Sequence, residues 1–104
     1  MSAKPIGIVV EDEIIPRSKS VEDLEERLRR LVERRGAPLL PPRLVRREGD
    51  WEIWRFVVGI EGIKGWDPYG YEIYYERGEL VGVLRRWFPP RAWEEAGNWW
   101  RSRR

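Results

Sequence analysis

The chain has 104 residues, of which 41% are hydrophobic, 12% aromatic and 37% charged, and its formal net charge is +2. This length predicts a single domain, residues 1–104, with a modest core. Cysteine and histidine are absent, which excludes a disulfide framework, a thiolate metal site and the usual general base. No apolar run could cross a bilayer or serve as a signal peptide, so we expect a cytoplasmic protein. Because histidine and cysteine supply most ligands of transition metals, we also expect no metal and no cofactor.

The side-chain inventory is narrow. Seventeen of the twenty basic residues are arginine, and threonine and glutamine are absent. Few thermolabile side chains and many potential ion pairs favour a thermophilic source, although the dominance of arginine alone could also reflect genomic base composition. The serines have no histidine to activate them, and no phosphate-binding glycine motif precedes a helix, so we expect no enzymatic activity.

The first predicted element is a β-strand at the start of residues 5–15. Ile6, Ile8 and Val10 alternate with other residues there, which is typical of a strand with one buried face. The acidic run that follows is expected to be a solvated strand end, because a metal ion needs oxygens that converge from several directions.

Residues 20–35 predict an amphipathic helix. Ser20 is a favourable N-cap, and Gly36 is placed to end the helix. We expect the helix to pack across the sheet with its arginines as a solvated rim, although such a rim could also contact phosphate. The apolar stripe consists of Val21, Leu24, Leu28, Leu31 and Val32.

Residues 51–88 hold ten of the thirteen aromatic residues. The predicted strands are 43–48 (a short edge strand), 51–61, 71–77 and 80–88, with a glycine-rich loop at 62–70 and turns at 49–50 and 77–79. The first long strand carries large apolar residues on both faces, so part of this surface is buried against another subunit or awaits a ligand with flat faces. Residues expected to pack in the interior are Trp51, Ile53, Tyr71 and Tyr75.

The C-terminal segment predicts a short helix at residues 91–100 after a pair of prolines. Tryptophan is enriched at subunit interfaces. We therefore expect a homodimer or homotetramer whose interface contains Trp93, Trp99 and Trp100. The complete prediction is an α+β fold: an antiparallel sheet of four or five strands, one long amphipathic helix packed on it, and a short C-terminal helix.

Aromatic rings interleaved with arginine indicate binding of single-stranded nucleic acid, because every base can stack on a ring and guanidinium groups pair with phosphate. A duplex reader would need more polar side chains for base edges. The residues predicted to stack on bases are Trp54, Trp66, Tyr69, Tyr74 and Trp87. The residues predicted to contact phosphate are Arg46, Arg47, Arg55, Lys64, Arg85 and Arg86. The alternatives are an interaction or oligomerisation module whose aromatic surface is an interface, and a binder of single-stranded RNA.

The segments WEIWRFVVGI and YEIYYERGELVGVLRRWF, in a chain that runs from an amphipathic helix to Trp/Tyr-rich strands and an Arg-rich end, resemble the ThermoDBP-related archaeal single-stranded DNA-binding proteins. The resemblance covers nearly the whole chain. It implies an α+β domain, sequence-tolerant binding of single-stranded DNA, and a homo-oligomer that places the strand between subunits.

Overall fold

The computed structural model describes residues 3–63 and 65–87, the last two by their backbone. The four strands pair antiparallel in the order β1-β2-β3-β4, so the chain has an α+β fold with a four-stranded antiparallel sheet. No fifth strand is present in this part of the chain, and the predicted C-terminal helix lies outside it. The elements are α1 (Ile6–Val9, continuing as a π-helical turn over Val10–Ile14), α2 (Val21–Arg35), β1 (Leu39–Glu48), β2 (Trp51–Gly62), β3 (Gly65–Glu76) and β4 (Glu79–Trp87).

The predicted N-terminal strand is wrong, because this segment is helical. Ile6 and Val10 are completely buried and Ile14 nearly so, and these residues lie four apart, as on one face of a helix. Ile8, which a strand would place beside Ile6 and Val10, is 46% exposed. A short run of β-branched residues is compatible with both periods, and burial against the sheet selects the helical one.

The second helix forms where the sequence predicts it. The Ser20 hydroxyl accepts a hydrogen bond from the backbone N–H of Asp23 at 3.1 Å, which caps the first turn. Gly36 ends the helix in the left-handed conformation, with φ of 68°. The residues of the predicted stripe that are buried are Leu24, Leu28, Leu31 and Val32.

The sheet is more extensive than predicted. The first strand begins at Leu39, and the third begins at Gly65, inside the predicted loop. Pro68 lies within β3, where it pairs with Gly59 of β2. The missing N–H of Pro68 is tolerated because the described pairing with β4 extends only to Tyr69.

The core lies between the sheet and the two helices. The rings of Phe56 and Tyr71, which are opposite each other on β2 and β3, stack with centroids 5.0 Å apart and an interplanar angle of 17°. Such a pair contributes about 0.5–1.5 kcal/mol beyond the apolar area that it buries. Tyr71 and Tyr75 are buried as expected, whereas Trp51 is 42% exposed and does not pack in the core.

The two edges of the sheet differ in their residues. The β1 edge carries Pro41 and Pro42, and its register shifts on both sides of the segment Arg43–Leu44. The β4 edge has no proline, and Val81 and Val83 are more than 40% exposed there. The β4 strand also has a register shift, at Val81, so the edges differ in their prolines. Proline removes backbone donors and discourages further strands from pairing with an edge, so β1 is better protected than β4.

Replacing Gly59 with alanine should destabilise the fold. A Cβ atom at this position would lie 2.6 Å from Cδ of Pro38 and 3.2 Å from Cβ of Trp66. We expect a loss of about 1–3 kcal/mol in the free energy of unfolding, the usual range for overpacking. Denaturant unfolding followed by circular dichroism measures this loss. The control is Gly82→Ala, where the nearest atom is 3.8 Å away. Equal effects of the two substitutions would contradict the predicted clash.

Candidate nucleic-acid interface

Alternation of side chains gives the sheet two chemically different faces. The helix-side face packs on α1 and α2, and the distal face is turned away from them. Three rows of side chains cross the distal face near the β1–β2 turn. The first row is Glu48, Trp51, Glu76 and Glu79, the second is Arg46, Ile53, Tyr74 and Gly82, and the third is Arg43, Arg55, Glu72 and Leu84.

The end of the β1–β2 hairpin extends beyond the core. Every residue from Arg43 to Trp51 is exposed, and we call this segment the hairpin tip. On the distal face, Arg43 is directly opposite Arg55, and Arg46 forms an ion pair with Glu48. The tip therefore presents guanidinium groups and an indole ring on one surface.

A buried carboxylate organises the third row of the distal face. The Glu72 side chain is 5% exposed, and Nε of Arg55 donates a hydrogen bond to it at 2.6 Å. The Tyr74 hydroxyl donates to the other carboxylate oxygen. Because Glu72 contacts both groups, it fixes the position of an arginine relative to an aromatic ring. The hydrogen bond from Arg55 uses one of the five N–H groups of its guanidinium.

A second glutamate, Glu52, holds an arginine and an aromatic ring on the helix-side face of the hairpin. Arg47 donates two hydrogen bonds to Glu52, from Nε at 3.1 Å and from Nη2 at 2.6 Å. The indole Nε1 of Trp54 donates to the other oxygen of Glu52 at 3.2 Å. These hydrogen bonds, the one from Arg47 first and the one from Trp54 second, lower the pKa of Glu52.

A third arginine and ring lie at the opposite half of the sheet. The Arg85 guanidinium lies 5.0 Å from the centroid of the Tyr69 ring, which is a cation–π contact. Nη1 of Arg85 is 3.5 Å from a carboxylate oxygen of Glu11, on the helical segment. All three residues line a cavity of about 380 Å³.

The structure divides the predicted contact residues into two groups. One group lies near the hairpin tip: Tyr74, Arg46 and Arg55 on the distal face, with Trp54 and Arg47 on the helix-side face. The other contains Trp66, Tyr69 and Arg85, together with the backbone of Arg86 and Trp87. Tyr74 and Trp66 are separated by roughly 27 Å of strand, from about 3.4 Å per residue. The predicted contacts Lys64, Trp93, Trp99 and Trp100 lie outside the described residues.

Sequence reasoning missed the carboxylates that hold these arginines. Glu52 precedes Trp54 by two residues, and Glu72 precedes Tyr74 by two, so each glutamate shares a strand face with its ring. That spacing is a signal present in the sequence, but the arginine that completes each group comes from a neighbouring strand. Arg43 and Trp51 were also missed, although their proximity to the turn at Gly49–Asp50 favours exposure.

Comparison with known proteins returns no significant match to this chain among protein-family models, curated proteins or solved structures. Within residues 3–63 and 65–87, no group of acidic side chains is placed to hold a metal ion. No helix in that part of the chain is long and apolar enough to cross a membrane.

The hydrogen bonds to Glu52 make a prediction about pH. Its lowered pKa means that the interactions with Arg47 and Trp54 stabilise the fold fully above the ordinary pKa of glutamate, and that this contribution disappears as the pH falls through the lowered value. We expect Arg47→Ala to raise the pKa of Glu52 toward its ordinary value in an NMR titration of the side-chain carboxylates. Arg29→Ala, which removes an unrelated ion pair with Glu25, should leave it unchanged. A pKa of Glu52 that is the same in both variants would contradict the role given to Arg47.

Proposed function

We propose that this chain is a non-catalytic protein that binds single-stranded DNA with little sequence preference. Bases would stack on aromatic rings of the distal face, and arginines would contact the phosphates. The observation that carries this proposal is the exposed hairpin tip, where Trp51 lies next to rows that contain three arginines and Tyr74. Single-stranded RNA presents the same flat bases and phosphates, so it is the second ligand to test.

The rings on the distal face meet the requirements of stacking. Trp51 is exposed at the hairpin tip, and each base stacked on an aromatic side chain is worth about 1–3 kcal/mol. Tyr74 is held by its hydrogen bond to Glu72 and lies opposite Gly82, which has no side chain. A base that reaches this part of the sheet would therefore meet a ring with a fixed orientation.

The arginines on this face are positioned and retain donors for phosphate. Arg43 forms no ion pair with the described residues, and Arg55 commits only Nε to Glu72 in the hydrogen bonds described above. Most other arginines near the tip are paired with carboxylates, so the local net charge is small. This balance supports binding in which stacking contributes more than counterion release.

A strand that follows the distal face from the hairpin tip would next meet Trp66, which is 37% exposed and lies opposite Glu61. It would not contact Tyr69 and Arg85, because these two residues lie on the helix-side face, where Arg85 pairs with Glu11. A homodimer or homotetramer through the C-terminal tryptophans, and a cytoplasmic location, remain predictions from the sequence. The mass of the protein in solution tests the first of them.

A competing function is an interaction module. It is favoured by exposed aliphatic side chains on both edges of the sheet, namely Leu44, Val45, Val81, Val83 and Leu84. In that case the aromatic surface would contact a protein partner or a second copy of the chain. Tryptophan fluorescence separates the two functions, because stacked bases quench exposed indoles and burial in an existing interface makes them unresponsive to oligonucleotide.

Fluorescence anisotropy of a labelled mixed-sequence oligonucleotide tests the proposal directly. The single strand should bind more tightly than its duplex, because only unpaired bases offer faces for stacking. For single strands, each phosphate contact contributes about −0.7 to the slope of log K against log salt concentration, where K is the binding constant. Contacts from Arg43, Arg46 and Arg55 therefore predict a slope of about −2. Absence of binding to both forms at low salt would refute DNA binding and leave the interaction module. An RNA strand of the same sequence distinguishes the two nucleic acids.

Trp51→Ala should weaken binding of the single strand by about 5- to 150-fold, which corresponds to the loss of one stacked base. Because Trp51 is exposed, the free energy of unfolding should change little. Ile63→Ala is the matched control, since Ile63 is a fully exposed apolar residue directly after the opposite end of β2. If both substitutions leave the affinity unchanged, Trp51 is not part of the binding surface.

A further inference from the structure

A groove of about 500 Å³ lies in the helical layer, on the other side of the sheet from the distal face. One wall is α2, and the other is formed by α1, its π-helical turn and the connection to α2. Val9 and Ile14 contribute apolar surface. The charged residues that line it are Arg17, Arg27, Arg30, Arg34, Glu13 and Glu33.

The lining of the groove carries an excess of positive charge, since it contains four arginines and two glutamates. Among the arginines whose side chains are described, only Arg17, Arg34 and Arg43 form no ion pair within that part of the chain, and the first two line this groove. Arg27 and Arg30 are held by carboxylates one turn earlier on α2, Asp23 and Glu26 respectively. Two unpaired guanidinium groups therefore lie beside two that are fixed in position.

The walls of the groove are ordered by local geometry. Arg27, Arg30 and Arg34 share one side of α2 because they are three and four residues apart. Arg17 precedes Ser18, whose buried hydroxyl donates a 2.6 Å hydrogen bond to the Ile14 carbonyl at the end of the π-helical turn. π-Helical turns are rare and are frequently found at functional sites. The hydrogen bond from Ser18 to Ile14 thus fixes the backbone of the turn that carries Arg17.

We propose that this groove binds the phosphate groups of an oligophosphate ligand. Guanidinium groups present planar pairs of donors that match two phosphate oxygens, and hydrogen bonds between charged partners are about twice as strong as neutral ones. A concave site lets several guanidinium groups contact one ligand at the same time. The same chemistry is offered by a free oligophosphate and by a nucleic-acid backbone. The proposal does not depend on DNA binding at the distal face, because the sheet separates the two surfaces.

Calorimetric titration with sodium tripolyphosphate at low salt tests the site. The wild-type chain should bind, and Arg34→Ala should weaken the affinity about tenfold, the value of one charge-assisted hydrogen bond. Arg29→Ala is the matched control: Arg29 is on the same helix and pairs with Glu25, but it does not line the groove, so its effect should stay below about twofold. The double variant Arg17→Ala/Arg34→Ala should lose more affinity than Arg34→Ala. Equal weakening by Arg34→Ala and Arg29→Ala would overturn the assignment.

Oligonucleotide binding by the double variant identifies the source of the phosphate. If this variant loses affinity for the labelled single strand and tripolyphosphate competes with that strand, the groove binds the nucleic-acid backbone. If tripolyphosphate binds in the groove while the affinity for the strand is unchanged, the ligand is a free oligophosphate. If the wild-type chain binds no tripolyphosphate and the double variant binds the strand normally, the site does not exist. Failure of Trp51→Ala to affect DNA binding would leave all of these results intact.

Discussion

The stacked rings of Phe56 and Tyr71 determine which side chains of the sheet face the helices. They are opposite each other in the β2–β3 register, and both are buried under the helical layer. Side chains alternate between faces, so a slip of β2 by one residue would bring Phe56 to the distal face, away from Tyr71, and carry Arg55 into the core. That exchange would lose a large apolar contact and bury a charge, which is costly without a partner. The arrangement of the distal face therefore depends on this pair.

Glutamates give the arginines of the sheet fixed positions. Glu72 and Glu52 each contact an arginine from a neighbouring strand and an aromatic ring two residues further along their own strand. A free arginine loses side-chain entropy when it binds a ligand, whereas a guanidinium already held by a carboxylate loses less. The carboxylate also repels phosphate, so this contact weakens the attraction of the arginine for phosphate while it fixes the position of the guanidinium. These surfaces consequently suit flat, aromatic partners better than purely anionic ones.

Features determined by neighbouring residues were predictable from the sequence. The helix from Val21 to Arg35 has its cap and its stop within one turn of its ends, and the two turns predicted at 49–50 and 77–79 each carry a glycine at positive φ. The helical segment at Ile6 was not predictable, because its alternating β-branched residues fit both a strand and a helix. Only burial of Ile6, Val10 and Ile14 against the sheet favours the helix. Likewise, β3 extends through Pro68 because it pairs with β2 along its whole length. The residues of β3 themselves do not indicate how long β2 is.

The sequence predicted which types of residue form the candidate site, but it did not predict which of these residues lie close together. The choice of aromatic and arginine residues came from composition, but their division between two ends of the sheet follows from register. Trp51 illustrates the difference: its strand pattern indicates an interior residue, and the length of the hairpin beyond the core makes it exposed. The partners of Arg55 and Arg47 depend on cross-strand pairing, which a single sequence does not specify.

The unequal edges of the sheet limit how copies of this chain could join by strand pairing. Pro41 and Pro42 remove two backbone donors from the β1 edge, whereas β4 contains no proline. Two copies that paired through β4 would form one continuous eight-stranded sheet, and both of its outer edges would be β1. Such a sheet has no unprotected strand left on which to grow. Association through strand pairing would then stop at a symmetric dimer, and the protein would avoid the open-ended strand addition that leads to fibres.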